Sequence, residues 1–188
     1  NGITSDAMEE SLKLCIGCKA CRRECPTGVD MARMKTEIMC NRITKTGLST
    51  RDRLIGFFPR YAPLLAKVPY IANLGETKIG STLREKFLGL SKQQALPIWA
   101  QSSFDTNNGS IGPTGGAEVV LFADCFNRYF EPHNLQAAVE VLVAGGRRVH
   151  FANSVDDDAK PLCCGKTFLS VGLVEEARKE SIRFVKGV

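Results

Sequence analysis

Residues 15–26 read C-I-G-C-K-A-C-R-R-E-C-P, so four thiols recur as C-x2-C-x2-C-x3-C with a proline directly behind the last. Ligands three residues apart let one tight loop reach three corners of an iron–sulfur cubane, and the proline then turns the chain away from it. Gly17 and the small Ala20 leave room for backbone N–H groups to approach the sulfides. The spacing therefore predicts a [4Fe–4S] site held by Cys15, Cys18, Cys21 and Cys25. A zinc knuckle uses two C-x2-C pairs set apart by a longer loop, a pattern this run does not follow. In two-cluster ferredoxins the fourth cysteine of such a run ligates the other cluster. Cys25 thus either completes this site or serves a second one whose motif lies outside the chain. Lys19, Arg22 and Arg23 favour the more negative, reduced state and are expected to raise the potential modestly.

Working outward, Ser5 or Asp6 caps a short helix that runs into Leu14. Residues 26–28 make a turn, and Asp30 caps a second helix whose apolar face is Met31, Met34, Ile38 and Ile43, ended by Gly47. Cys40 on that helix reads as a core cysteine, with a substitute cluster ligand as the other reading. Residues 51–99 read as broken helices, because Pro59, Pro63 and Pro69 interrupt an apolar stretch. With Arg53, Arg60 and Lys67 that stretch reads as a packing face for a neighbouring domain, or as a peripheral membrane patch. Residues 101–116, QSSFDTNNGSIGPTGG, read as a linker.

Beyond it the texture changes. Residues 117–123, AEVVLFA, are the run expected of a buried parallel strand. Pro132 opens a helix over 134–144 that closes at Gly145 and Gly146. A strand follows at 148–152, then a helix from Phe168 to Val185 with a break at Gly172. This is a βαβ unit with a right-handed crossover. Cys125 follows the first strand, and Cys163, Cys164 and Gly165 follow the second. Both strands end on one side, so these three thiols are expected to converge at the carboxyl edge of the sheet as a second metal site. Two core cysteines with a chance pair, or a vicinal disulfide, are the alternatives. Gly165 is expected to let the backbone approach a bound group. Residues 165–167 resemble the end of a phosphate loop, but Lys160 stands where its first glycine belongs. His133 and His150, the two histidines, have no nucleophile arrangement around them, and no residue is assigned a catalytic role.

The expected fold class is α+β: a helical ferredoxin-type domain over 1–50, a connector over 51–116, and an incomplete α/β cysteine-rich domain over 117–188. With 188 residues, 44% apolar and 24% charged, the chain is of ordinary globular composition, which excludes disordered and fibrous classes. No run nears the roughly 18 apolar residues of a membrane span, and residues 1–10 lack a signal-peptide pattern. A start at Asn1 rather than Met is expected of a piece of a longer protein. Net charge divides as +7 over residues 1–100 and −2 over 101–188. The basic charges are scattered between apolar residues, as on a solvated surface, and no nucleic-acid partner is expected. Clustered thiols suit metal binding in a reducing compartment, so the cytoplasm is expected, with peripheral contact on the cytoplasmic membrane face as the variant.

Three stretches together, LCIGCKACRRECPTGVDMARMK at 14–35, DCFNRYFEP at 124–132 and LCCGK at 162–166, resemble the carboxy-terminal part of large FAD-linked oxidases. Those enzymes fuse a flavin dehydrogenase to a 4Fe–4S ferredoxin-type domain and a cysteine-rich "CCG" domain. The same modules occur in the iron–sulfur subunits of anaerobic glycerol-3-phosphate dehydrogenase and of glycolate oxidase, and in heterodisulfide reductase. The resemblance implies cubane ligation by Cys15, Cys18, Cys21 and Cys25. It also implies a second centre, iron–sulfur or zinc, that includes Cys125, Cys163 and Cys164, whose C-x-x-C partner would lie beyond Val188. FAD would belong to a domain before Asn1. The implied role is passage of electrons from flavin oxidation of a 2-hydroxy acid (D-lactate, D-2-hydroxyglutarate or glycolate) to a quinone or redox protein. A zinc-structured interaction module and a thiol/disulfide-active domain like heterodisulfide reductase are the rival functions.

Overall fold

The computed structural model describes residues 5–12, 14–107, 109–154 and 160–188. Its residues group into two compact units, Asn1–Phe57 with Gly165–Lys179, and Phe58–Cys164 with Glu180–Val188. The architecture is α+β, a set of mostly short helices and one two-stranded parallel sheet.

In the first unit, α1 (Asp6–Leu12) precedes the cysteine loop, α2 (Ala20–Glu24) lies within it, and α3 (Met31–Thr46) follows. Asp30 caps α3 by accepting from the Arg33 N–H at 2.9 Å, and Gly47 closes it at φ 77°. The apolar face differs from the expected one: Ala32 and Ile38 are buried, whereas Met31 and Met34 are exposed. The inward side of the first turns is Ala32, Lys35 and Thr36, spaced three and four apart and turned toward the cysteine loop. The two methionines are thereby rotated outward.

α4 (Thr50–Gly56) packs on α10 (Lys166–Ser170). The buried Thr167 hydroxyl donates to the Gly56 carbonyl at 3.1 Å, and the fully buried Phe168 ring meets Phe57 edge-on at 5.4 Å. As expected, the last helical stretch breaks at Gly172, φ 84°, between α10 and α11 (Val174–Lys186). A Cβ on Gly172 would stand 2.7–2.9 Å from Met39 and Cys40 backbone and Cβ atoms, so this turn lies directly on α3.

The second unit opens with α5 (Phe58–Leu65), α6 (Pro69–Ala72), a 3₁₀ turn (Asn73–Glu76) and α7 (Lys78–Leu88). Pro69 opens α6, as a residue without an N–H should. Pro63 sits inside α5 instead of ending it. Its missing donor would have faced Pro59 in the first turn of a two-turn helix, so little is lost. Phe58 centres the core: its ring lies 5.1–5.8 Å from Tyr61, Trp99, Phe126 and Phe130. Arg84 is buried and ties the turn to the following loop, donating to Glu76, to the Ser91 carbonyl at 3.2 Å and to the Gln94 carbonyl at 2.9 Å. Ile79, Leu83 and Phe87, one turn apart along α7, are 50–76% exposed.

β1 (Ala117–Leu121) and β2 (Arg147–Phe151) run parallel, from Ala117 opposite Arg147 to Leu121 opposite Phe151. α8 (Cys125–Tyr129) and α9 (Pro132–Ala144) form the crossover, with α9 packed on β2. β1 is less buried than a parallel strand usually is, with Val120 49% exposed, because a sheet of two strands leaves much of its surface open. Residues 101–116 carry specific bonds. Ile111 exchanges backbone hydrogen bonds with Val149 at 2.9 and 2.7 Å on the other edge of β2. Thr106 is 2% exposed, and its hydroxyl donates to Asn153 and accepts from Arg128. A Cβ on Gly112 would stand 2.3 Å from the Arg147 carbonyl oxygen. The glycines there permit close approach to the sheet.

Candidate metal centre

The Cys15 N–H donates to the Leu12 carbonyl at 3.0 Å, which seats the first thiol directly behind α1. Lys35, reaching from α3, donates through Nζ to the Cys15 carbonyl at 2.7 Å and pins the loop entrance. Gly17 has φ 71°, and Lys19, at φ 61°, is the one non-glycine residue with positive φ among the described residues. A side chain in that region costs about 1–2 kcal/mol. Lys19 and Arg22 both face Asp30, with Nζ and Nη1 at 3.5 and 4.0 Å from Oδ2.

Cys21 lies in the first turn of α2, and Cys25 is its C-cap, donating its N–H to the Cys21 carbonyl at 2.9 Å. The proline-containing turn then surrounds the last two sulfurs with donors. Met31 N–H points at Cys21 Sγ, 3.3 Å away, and the Thr27 hydroxyl is 3.0 Å from Cys25 Sγ. The Thr27 hydroxyl, followed by the N–H groups of Val29, Thr27 and Gly28, lowers the Cys25 pKa from 9.0 to about 7. These groups favour thiolate over thiol, the form a metal takes. Cys18 is exposed, and Leu14 and Ile16, 91% and 84% exposed, project beside it.

The same loop borders a cavity of about 520 Å³ within the first unit. Its walls include Lys19, Arg33, Lys35 and Lys166, and no carboxylate. Cys40 is half-buried further along α3 and faces a different hollow, with Gly172 and Glu176 on its far side.

In the second unit Cys125 opens α8 behind Asp124, whose carboxylate accepts from the N–H groups of Phe126 and Asn127 at 3.0 and 3.1 Å. Cys125 packs against the Phe58, Ala62 and Tyr129 core. Burial raises the Tyr129 pKa, and a charge on Cys125 would raise it further. Cys163 is 3% exposed, whereas its neighbour Cys164 is exposed. All eight cysteines are outside disulfides, so the adjacent pair is not a vicinal bridge here. Among the described residues, no three His, Cys, Asp or Glu side chains stand close enough to hold a metal ion. Neither the 15–25 set nor Cys125, Cys163 and Cys164 is gathered at one point. The donor chemistry of the first set nonetheless fits an iron–sulfur cluster: four thiols in eleven residues, N–H groups aimed at two of the sulfurs, and left-handed backbone at Gly17 and Lys19.

Gly165 has a use that the sequence reading did not foresee. At φ 76° it is the N-cap of α10, and a Cβ there would stand 2.8 Å from the Ala177 carbonyl oxygen and 3.1 Å from its Cα. The close approach is to α11. Lys35 and Lys166 were not identified from the sequence as neighbours of the cysteine loop. Lys35 could have been found from its position one turn beyond the Asp30 cap, but nothing local marks Lys166.

Over 95 residues the chain is 29% identical to D-2-hydroxyglutarate dehydrogenase of Escherichia coli (strain K12), a stretch covering 50% of this chain and 9% of that protein. Over 69 residues it is 30% identical to D-2-hydroxyglutarate dehydrogenase of Pantoea ananatis (strain AJ13355), covering 37% and 7% respectively. No family model and no solved structure matches it. No helix among the described residues is long and apolar enough to cross a membrane. The matched stretches span less than a tenth of each relative, and within that span the chain is similar to part of a hydroxyacid oxidoreductase.

Proposed function

We propose that this chain is an iron–sulfur electron-transfer module of an FAD-linked 2-hydroxyacid dehydrogenase, with Cys15, Cys18, Cys21 and Cys25 as cluster ligands. The observation that carries the reading is the set of donors aimed at Cys21 and Cys25, on a loop whose spacing suits a cubane. Bound there, a [4Fe–4S] cluster would supply one-electron transfer between flavin and acceptor. The chain's own residues would hold thiolates in place: Lys35 fixes the Cys15 carbonyl, and Thr27 and the 27–29 N–H groups stabilise charge on Cys25. Cys125, Cys163 and Cys164 would contribute to a second centre, iron–sulfur or zinc. The exposed Ile79, Leu83 and Phe87 stripe supports docking of α7 on the flavin domain. The partial similarity to D-2-hydroxyglutarate dehydrogenase supports a hydroxy-acid substrate for the whole enzyme.

Anaerobic reconstitution with iron and sulfide tests the reading. At least four irons and four sulfides per chain, with broad visible absorbance, are expected, and Cys15→Ala, Cys18→Ala or Cys21→Ala should remove the four that belong to the first centre. Stoichiometric zinc with no iron or sulfide would overturn the reading in favour of a zinc-structured module.

A further inference from the structure

We propose that Lys166, the residue directly after the C-C-G motif, is a cation that raises the reduction potential of the centre at Cys15–Cys25, a role that rests on the iron–sulfur reading above. Among the cations spaced between the thiols, Lys19 and Arg22 share the single carboxylate of Asp30, at 3.5 and 4.0 Å, which offsets one of their two charges. Arg23 is exposed and does not line the cavity beside the loop. In the cavity beside the loop, Arg33 is likewise paired, its Nε 3.0 Å from Glu37. Lys35 and Lys166 remain as the lining cations with no acidic partner among the described residues. Lys35 keeps its charge too, with its ammonium held on the Cys15 carbonyl. The Lys166 ammonium makes no hydrogen bond or ion pair among the described residues, yet it lies 3.2 Å from where a Cβ on Gly17 would stand. Gly17 therefore serves twice: it takes a left-handed φ of 71°, and its bare Cα lets an ammonium rest against the loop between Cys15 and Cys18.

An ammonium at that place favours the state with one more negative charge. One electron enters on reduction, no bond forms or breaks, and Lys166 keeps its proton throughout. Because Lys166 is exposed, solvent and salt weaken the effect without abolishing it. Removal of the charge should lower the equilibrium constant for reduction about threefold and reversal about tenfold, since reversal repeats the same step. A tenfold change is about 59 mV for a one-electron couple.

The test is an anaerobic dithionite titration of the reconstituted chain, followed by electron paramagnetic resonance, with iron content measured on every sample. Lys166→Gln should lower the midpoint, Lys166→Glu should lower it further, and Lys166→Arg should keep it. The Lys166→Glu difference should narrow as salt is raised. Asp30→Asn, which retains a capping side chain while unmasking Lys19 and Arg22, should move the midpoint upward. An unchanged midpoint in iron-loaded Lys166→Glu would overturn the proposal. So would loss of iron confined to the Lys166 variants, because Lys166 would then be holding the loop. Failure of the parent chain itself to take up iron would instead defeat the underlying iron–sulfur reading.

Discussion

Replacing Gly165 by alanine separates two accounts of why a glycine follows the paired cysteines. If the bare Cα were there only for a bound group, alanine would cost the metal-free protein no more than its φ, about 1–2 kcal/mol, and reduce metal uptake. The structure places the missing Cβ against α11, so the metal-free protein should bear the cost. At φ 76°, a non-glycine residue costs about 1–2 kcal/mol. The Cβ would also stand 2.8 Å from the Ala177 carbonyl oxygen and 3.1 Å from its Cα, which are backbone atoms that cannot rotate aside. Overpacking of this kind costs about 1–3 kcal/mol. Gly165→Ala should therefore lose about 2–5 kcal/mol in urea unfolding of the metal-free chain, followed by far-ultraviolet circular dichroism. Gly165→Asn is the diagnostic companion. Asparagine visits the left-handed region readily but carries the same Cβ, so it should recover the conformational part and retain the packing part. A Gly165→Ala protein within 1 kcal/mol of the parent, on the order of a surface change, would refute the close approach to α11.

Phe58→Ala should cost about 3–5 kcal/mol by emptying the centre of the aromatic cluster, and it should shift the fluorescence of Trp99, the only tryptophan in the chain. An unchanged emission spectrum would contradict that packing. Glu76→Gln leaves the buried Arg84 guanidinium without its charge partner and should destabilise the second unit by about 3–5 kcal/mol. Arg84→Met together with Glu76→Gln should recover part of that loss, and a pair no better than the single change would argue against a paired charge. Asp30 gives a pH signature: the Arg33 N–H, then Lys19 and Arg22, hold its carboxyl below the usual range. The stability it adds is thus present above its unfolded pKa of about 3.9 and lost as pH falls through the lower folded value. Asp30→Asn should flatten that acid limb in a helicity titration.

Features written in local chemistry were legible from the sequence. Asp30 and Gly47 bound α3, Pro132 and Gly145 bound α9, and Gly172 divides the last two helices. Each acts through its own cap, φ or missing donor, which needs no knowledge of distant residues. The readings that missed concern contacts between segments far apart in the chain. Met31 and Met34 lie outward because the cysteine loop claims Ala32, Lys35 and Thr36. Residues 101–116 look like a linker by composition, yet Ile111 pairs with Val149 and the polar side chains of Thr106 and Ser110 are bonded to Asn153 and Arg148. Composition records polarity but not where a partner stands. Gly165 and Lys166 likewise take their meaning from Ala177 and Gly17.

On the proposed reading, the cysteine loop is prepared for a cluster by ordinary backbone chemistry. Cys21 and Cys25 already have donors directed at their sulfurs, supplied by a turn that the 26–30 residues form for reasons of their own. Cys15 is held through its carbonyl by Lys35, not through its sulfur. Cys18 is exposed and has no hydrogen-bond partner among the described residues. On that reading, the conformational freedom surrendered on metal binding would fall mainly on the 15–19 half of the loop. There the exposed Leu14 and Ile16 stand in water, and Lys19 occupies a strained φ. Coupled folding and binding of this kind makes affinity depend on how many thiols are already placed as much as on how many are present. The half nearest α3 supplies placed donors. On the proposed reading, the half nearest α1, with Lys166 resting against its Gly17, would have to close around the cluster.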